Sequence, residues 1–144
     1  SLLPRYTVTS MRIKQILAKD CYSLRESVLR PGQPKENWTF KEDDYKKTLH
    51  LGMEHDGEII AIVSLLPEEK EGSKYRLRGM AVHEEFRGQG IGQQLLVALL
   101  ERTGESVWCT ARKQVQGFYS KNSFEVFGDE FTMNDMPHVF MQKV

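Results

Sequence analysis

The stretch from Tyr75 to Leu100, YRLRGMAVHEEFRGQGIGQQLLVALL, constrains this chain more than any other. Tyr75–Val82 reads as an apolar strand. Arg87-Gly88-Gln89-Gly90-Ile91-Gly92 is then a glycine-rich turn. From Gly90 onward Ile91, Leu95, Leu96, Leu99 and Leu100 recur on one helical face. A strand, a tight glycine turn and a helix N-terminus in succession predict a phosphate site. The turn amides point at the ligand, the helix dipole favours negative charge, and the missing side chains let the backbone come close. Three glycines at alternate positions exceed what a plain strand-to-helix turn needs. The dinucleotide fingerprint is Gly-x-Gly-x-x-Gly followed by an acidic residue about 20 positions on, and a Walker A loop needs Gly-Lys-Ser/Thr. This turn, Gly-x-Gly-x-Gly, is neither.

The remaining pattern surrounds that unit with further strands. Arg12–Leu17 alternates enough to be a first strand. Ala18–Leu29 places Cys21, Leu24, Val28 and Leu29 at helical spacing, with Asp20 suited to the helix start. Arg30-Pro31-Gly32-Gln33-Pro34 breaks that helix. A polar helix is expected over Lys41–His50. Leu51–Glu54 and Glu58–Leu66, joined by His55-Asp56-Gly57, read as a hairpin, since Asp-Gly suits a tight two-residue turn. Pro67–Lys74 is expected as a charged, flexible, solvated loop. Gly104 stops the central helix. Ser106–Ala111 is then a strand, Gln114–Lys121 a short helix, and Phe124–Phe127 and His138–Lys143 the last strands. This order predicts an α+β layered fold with a mixed, mostly antiparallel sheet of about six or seven strands, flanked by about four helices.

The length of 144 residues suits one domain, taken as residues 11–144. Residues 1–10, SLLPRYTVTS, are set aside as a vector-derived remnant or a native extension. Basic and acidic residues number 20 each, so no charge excess points to nucleic acid or an anionic membrane as partner. The apolar run at Ile59–Leu66 is too short to span a bilayer. Cys21 and Cys109 lie far apart in a chain without a secretory pattern, which predicts free thiols and a cytoplasmic setting. His50, His55 and His83 are scattered without metal-ligand spacing, and no metal is expected.

The motifs LRGMAV, RGQGIG and GFYSKNSF occur in an order that resembles the GCN5-related N-acetyltransferase (GNAT) superfamily. The resemblance covers about residues 11–144. The strand Trp108-Cys109-Thr110-Ala111-Arg112 and the ending GDEF…MPHVFM are similar to a bacterial subgroup of small members. The resemblance implies acetyl-CoA as cosubstrate. The amides of Gly88, Gln89, Gly90, Ile91, Gly92 and Gln93 would cradle its pyrophosphate, with Arg87 adding positive charge nearby. Met80, Ala81 and Val82 would lend backbone groups to the pantetheine arm, as an edge strand does to a peptide. The thioester would lie in a gap between Met80–Val82 and Val107–Ala111. Tyr119 falls at the general-acid position, and an amide of Met80 or Ala81 would donate to the oxyanion. By the same analogy a homodimer through the final strands is compatible with the chain.

Acetyl transfer to an amine needs a neutral nucleophile, a donor for the oxyanion and a proton for the leaving thiolate. A phenol of pKa about 10 can protonate a thiolate of about 8.5 when hydrogen-bonded to it, which suits Tyr119 and leaves Phe118 as the core residue. For the base, the central strand offers Arg76 and Arg78 where some family members place a carboxylate. Glu84 and Glu85 fall beyond the strand, in solvent. His138 is the candidate, because imidazole titrates near neutrality, and a water chain is the alternative. Arg78 and Arg112 fall toward the acceptor side, where paired guanidinium groups suit a carboxylate or phosphate. Arg25 and Arg30 would line the same pocket, with Trp38 and Phe40 as an apolar wall. Two positions depart from the family pattern. Asn122-Ser123-Phe124 replaces the usual Gly-Phe turn, so Asn122 is expected in the left-handed region, and Thr110 stands where asparagine is frequent. Cys109 would be a covalent nucleophile in a second mechanism, but mid-strand it reads as a small hydrophobe. The expected activity is transfer of acetyl from acetyl-CoA to the primary amine of a small molecule, with an anionic acceptor as one option, by direct attack in a ternary complex. The alternatives are a non-catalytic acyl-CoA-binding module and a protein acetyltransferase acting on lysines or an N-terminus.

Overall fold

The computed structural model describes residues 10–144, and positions 1–9 of the segment set aside above lie outside them. Among the described residues one sheet carries seven strands: β1 Met11–Gln15, β2 Leu49–His55, β3 Glu58–Leu66, β4 Tyr75–Val82, β5 Val107–Arg112, β6 Glu125–Met133 and β7 Met136–Lys143. Their order is β1-β2-β3-β4-β5-β7-β6. Every neighbouring pair is antiparallel except β4 and β5.

The β2–β3 hairpin turns at Asp56 and Gly57 with φ of 51° and 82°, the mirror-image turn that Asp-Gly predicts. A second such turn joins β6 to β7 at Asn134 and Asp135, with φ of 54° and 60°. Both strands therefore run further toward it than their apolar residues suggest. Pro67–Lys74 is anchored rather than loose. Lys70 and Ser73 exchange backbone hydrogen bonds of 2.9 Å each around Glu71 and Gly72, and Trp108 Nε1 donates to the Glu68 carbonyl at 2.7 Å.

Among the described residues three helices flank the sheet, besides short 3-10 turns at Lys35–Asn37, Glu84–Phe86 and Lys113–Val115. The first, α1, spans residues 18–29 and changes pitch along its length: a 3-10 turn at Ala18–Cys21, an α turn at Tyr22–Leu24 and a π turn at Arg25–Leu29. The wide last turn is closed by Arg30 N–H donating to the Arg25 carbonyl at 3.0 Å. Asp20 caps the start by accepting from Leu17 N–H. The second helix, α2, spans Ile91–Thr103 and ends at Gly104, whose φ is 62°. The third, α3, is the single turn and a half at Gln116–Ser120.

The helix expected over Lys41–His50 does not form. Residues 41–47 run as turns, and Leu49 already belongs to β2. That stretch has no apolar stripe to bury. Instead the Asp43 carboxylate accepts from Phe40 N–H at 2.8 Å, the local bond by which an aspartate favours turns over helix.

Two cores result. Leu95, Leu96 and Leu99 of α2 are fully buried against Leu51, Val63, Val107 and Met141 on one sheet face, joined by Tyr119 and Phe124. On the other face Cys21 and Leu24 of α1 pack on Ile16, Ile62 and Ala81.

Candidate active site

The two parallel strands at the centre of the sheet part company. Between β4 and β5 only Tyr75↔Val107 and Arg76↔Trp108 are paired. From Leu77 onward one edge of β4 has no strand partner, and β5 turns to β7. A bulge reinforces the divergence. Ile62 faces Ala81 and Ser64 faces Arg78, so Gly79 and Met80 together oppose Val63. Gly79 takes φ of 71°, the left-handed conformation that glycine supplies at bulges of this kind. The expected gap between Met80–Val82 and Val107–Ala111 is thus present, and the bulge that helps to create it was not foreseen. Its signal was the glycine inside a strand pattern.

Beyond β4 the chain enters the glycine turn. Gly88 and Gly90 have φ of 80° and 76°, and a Cβ at either would meet nothing within 4 Å. Gly90 caps α2 without a side-chain hydrogen bond, so the first-turn amides are left for a ligand. These features fit a pyrophosphate. Arg87 does not project freely into that space: its Nε donates to the Val82 carbonyl at 3.2 Å, folding the loop back on β4. Gln93 makes a reciprocal pair with Asn122, through bonds of 2.6 and 2.8 Å, and Asn122 Nδ2 also donates to the Phe118 carbonyl at 2.8 Å. This clamp fixes α3 against the start of α2. Asn122 therefore does not supply the left-handed turn. Ser123 does, with φ of 70°.

Tyr119 is 8% exposed and packs edge-on against Phe118 and Phe124. Its side chain lies with Cys109 in the core beneath α2 and α3. Burial, and then the neighbouring Cys109, raise its pKa, so it stays a protonated phenol. Burial likewise pushes the Cys109 thiol up to about 12, far from a nucleophilic thiolate. His138 is 5% exposed. Its Nδ1 lies 2.8 Å from the Met136 carbonyl, and its ring stacks on Phe131. A carbonyl can only accept, so Nδ1 is a donor here, and Nε2 is the ring nitrogen left without a hydrogen-bond partner among the described residues.

On the α1 side of β4 a cleft of about 60 Å³ is lined by Arg25, Arg30, Asn37, Trp38, Phe40 and Arg78, with Gly79 beside them. The Phe40 ring is sandwiched between two guanidinium groups, 3.8 Å from that of Arg25 and 4.0 Å from that of Arg78. Arg25 is completely buried. It makes two 2.8 Å bonds to the Asp43 carboxylate, one of 3.1 Å to Ser64 Oγ and one of 3.3 Å to the Trp38 carbonyl. His50 closes the network on Ser64 Oγ at 2.7 Å and on the Asp43 carbonyl at 2.9 Å. Arg112 is not part of this cleft. It is exposed at the end of β5, opposite His138, so Arg78 is joined by Arg30 and Arg25 instead. A larger cleft of about 420 Å³ lies behind the Asp43–His50 network, between α1 and residues 43–48, and touches neither β4 nor the glycine turn. No cluster of metal ligands occurs among the described residues.

The site therefore comprises an unzipped parallel strand pair, an open glycine turn with uncapped amides and a buried phenol. A family model described as an acetyltransferase (GNAT) domain matches residues 46–126. The chain is 37% identical to the uncharacterized N-acetyltransferase YitI of Bacillus subtilis, over 92% of this chain and 95% of that protein. Among solved structures, an acyl-CoA N-acyltransferase from Pseudomonas aeruginosa superposes with a TM-score of 0.79 at 23% identity, covering 94% of this chain and all of the other. An aminoglycoside 6'-N-acetyltransferase complexed with coenzyme A superposes with a TM-score of 0.74 at 12% identity, covering 92% and 96%. The chain belongs to the GNAT acetyltransferase family and is an N-acetyltransferase.

Proposed function

We propose that the protein transfers an acetyl group from acetyl-CoA to the primary amine of a small molecule, by direct attack in a ternary complex. The observation that carries this reading is the loss of β4–β5 pairing after Arg76, beside a glycine turn whose amides are uncapped. Acetyl-CoA supplies the activated acyl group as a thioester. The amides of Gly88, Gln89, Gly90, Ile91, Gly92 and Gln93 hold the pyrophosphate, and the helix dipole of α2 adds to the attraction. Met80, Ala81 and Val82 hold the pantetheine arm along the open edge of β4. An amide of Met80 or Ala81 donates to the carbonyl oxygen as negative charge develops there. Tyr119 supplies the proton to the departing sulfur. His138 Nε2, or a water chain, takes the proton of the attacking amine. Cys109 plays no covalent part, because its buried thiol stays protonated.

Calorimetric titration with acetyl-CoA tests the reading, with Gly90→Trp as the loop-blocking control. Micromolar binding to the wild type, lost in the variant, together with thiol release in the presence of an amine panel, is the expected result. Binding without release in any amine would indicate a non-catalytic acyl-CoA-binding module instead.

A further inference from the structure

The cleft beside Gly79 has a charge pattern that its own structural duties do not account for. It is lined by three arginines and no carboxylate. Only one of the three is neutralised there, Arg25 by Asp43. Arg30 donates to its neighbour's carbonyl, Leu29 O, at 2.8 Å and has no carboxylate partner among the described residues. Arg78 makes no salt bridge and no hydrogen bond among them; burial and then Arg76 depress its pKa, and the carboxylates of Glu68 and Glu42 act on it only through space. An unpaired, half-buried guanidinium is costly unless an anion arrives to share it.

An independent observation points to the same place. Arg25 Nε–H is buried with no acceptor among the described residues, though the rest of that guanidinium is fully bonded. It stands 3.4 Å from the position a Cβ on Gly79 would take, beside the Phe40 ring. Buried donors in a folded protein are normally satisfied, and of the three buried side-chain nitrogens left open among the described residues (Arg25 Nε, His55 Nδ1 and Arg76 Nε) only that of Arg25 belongs to a residue lining this cleft.

We propose that this cleft binds the carboxylate of the acceptor, and that the acceptor is a short amino acid. One carboxylate oxygen receives Arg25 Nε–H, and the outer face of the carboxylate meets Arg78 and Arg30. This assignment rests on the acetyl-transfer reading above. Geometry limits the length of the acceptor. Gly79 lies one residue before Met80 and two before Ala81, roughly 3–7 Å along the strand. The amine must therefore follow the carboxylate within a chain of a few atoms, as in α-, β- or γ-amino acids. The cleft, at about 60 Å³, holds a planar carboxylate and little more. In the reaction a C–N bond forms between the amine and the acetyl carbon and the C–S bond breaks. The amine proton leaves through the base, Tyr119 protonates the sulfur, and the products are the N-acetylamino acid and free coenzyme A.

The test is thiol release from acetyl-CoA with leucine and β-alanine, each beside its carboxamide, and with spermidine and O-phosphoethanolamine as cationic and phosphorylated amines. The expected result is a KM for the acids at least tenfold below that of the carboxamides, with the ratio falling toward one in both Arg78→Ala and Arg30→Ala. Calorimetry should show N-acetyl-β-alanine or N-acetylleucine binding to the protein–coenzyme A complex, and that binding should vanish in Arg78→Ala. Equal use of acid and carboxamide, or preference for spermidine, overturns the carboxylate site and leaves the acetyltransferase standing. Preference for O-phosphoethanolamine replaces carboxylate by phosphate and overturns the amino-acid assignment. Absence of thiol release with every amine, with acetyl-CoA bound and no N-acetyl product bound, overturns both readings.

Discussion

Arg25 is the residue whose environment matters most. A wholly buried guanidinium survives only because Asp43 meets it with two bonds of 2.8 Å and Ser64 with a third. Asp43→Ala leaves that charge uncompensated, and the expected cost is about 3–5 kcal/mol. Urea denaturation at pH 7 measures it, and a loss below ~1 kcal/mol would show that Arg25 has another route to solvent or partner. Tyr119 can be probed without comparable damage. Tyr119→Phe keeps the contacts with Phe118 and Phe124 but removes the hydroxyl. The expected fall in kcat is about 10²-fold or more, at the low end of general-acid contributions, with thermal stability preserved. An unchanged kcat would assign Tyr119 to packing alone.

At the scale of elements, the bulge in β4 is the part on which both halves of the site depend. A Cβ at Gly79 would lie 3.1 Å from Phe40 Cε2 and would occupy a left-handed position that L side chains rarely adopt. Gly79→Ala is therefore expected to cost about 1–2 kcal/mol in stability. It should cost more in catalysis than in coenzyme binding, because the ring it displaces belongs to the cleft proposed for the acceptor and not to the glycine turn. Steady-state kinetics beside calorimetry separate the two, and a parallel loss of both would place the bulge in the coenzyme site. Its neighbours were only partly readable. The strand Tyr75–Val82 and the helix from Ile91 follow from an apolar run, a glycine turn and a 3.6-residue stripe, all local. The Gln93–Asn122 clamp was not legible, since nothing in either residue signals a partner 29 positions away. The helix expected over Lys41–His50 was misread for the complementary reason: its charges could be satisfied by turns, and Asp43 was required elsewhere.

Across the whole molecule, burial of ionisable groups sets the response to alkali. The Cys109 thiol is pushed from 9.0 to about 12 and that of Cys21 to about 11, in both cases chiefly by burial, and the Tyr119 phenol moves upward for the same reason. The folded chain thus holds protons that the unfolded chain releases from about pH 9 upward. Stability is intact below that pH and falls as the pH rises toward the folded values, by up to about 1.4 kcal/mol per pH unit for each thiol. Denaturation midpoints at pH 7.5, 9 and 10 check this, and Cys109→Ala should flatten the slope while leaving acetyl transfer intact. A flat profile in the wild type would mean that the thiols reach water. The sequence by itself determined the elements whose conformations are local: the two-residue turn at Asp56-Gly57, the central strand, the open glycine turn and the helix it begins. It also determined the family, because the glycine turn is a contiguous motif. Only the tertiary structure decided which charges are buried, where β4 and β5 separate, and that Arg25, Arg30 and Arg78 line one cleft with Phe40. Those outcomes depend on partners distant in the chain, and the cost of burying a charge is defined only once the fold has brought its partner to it.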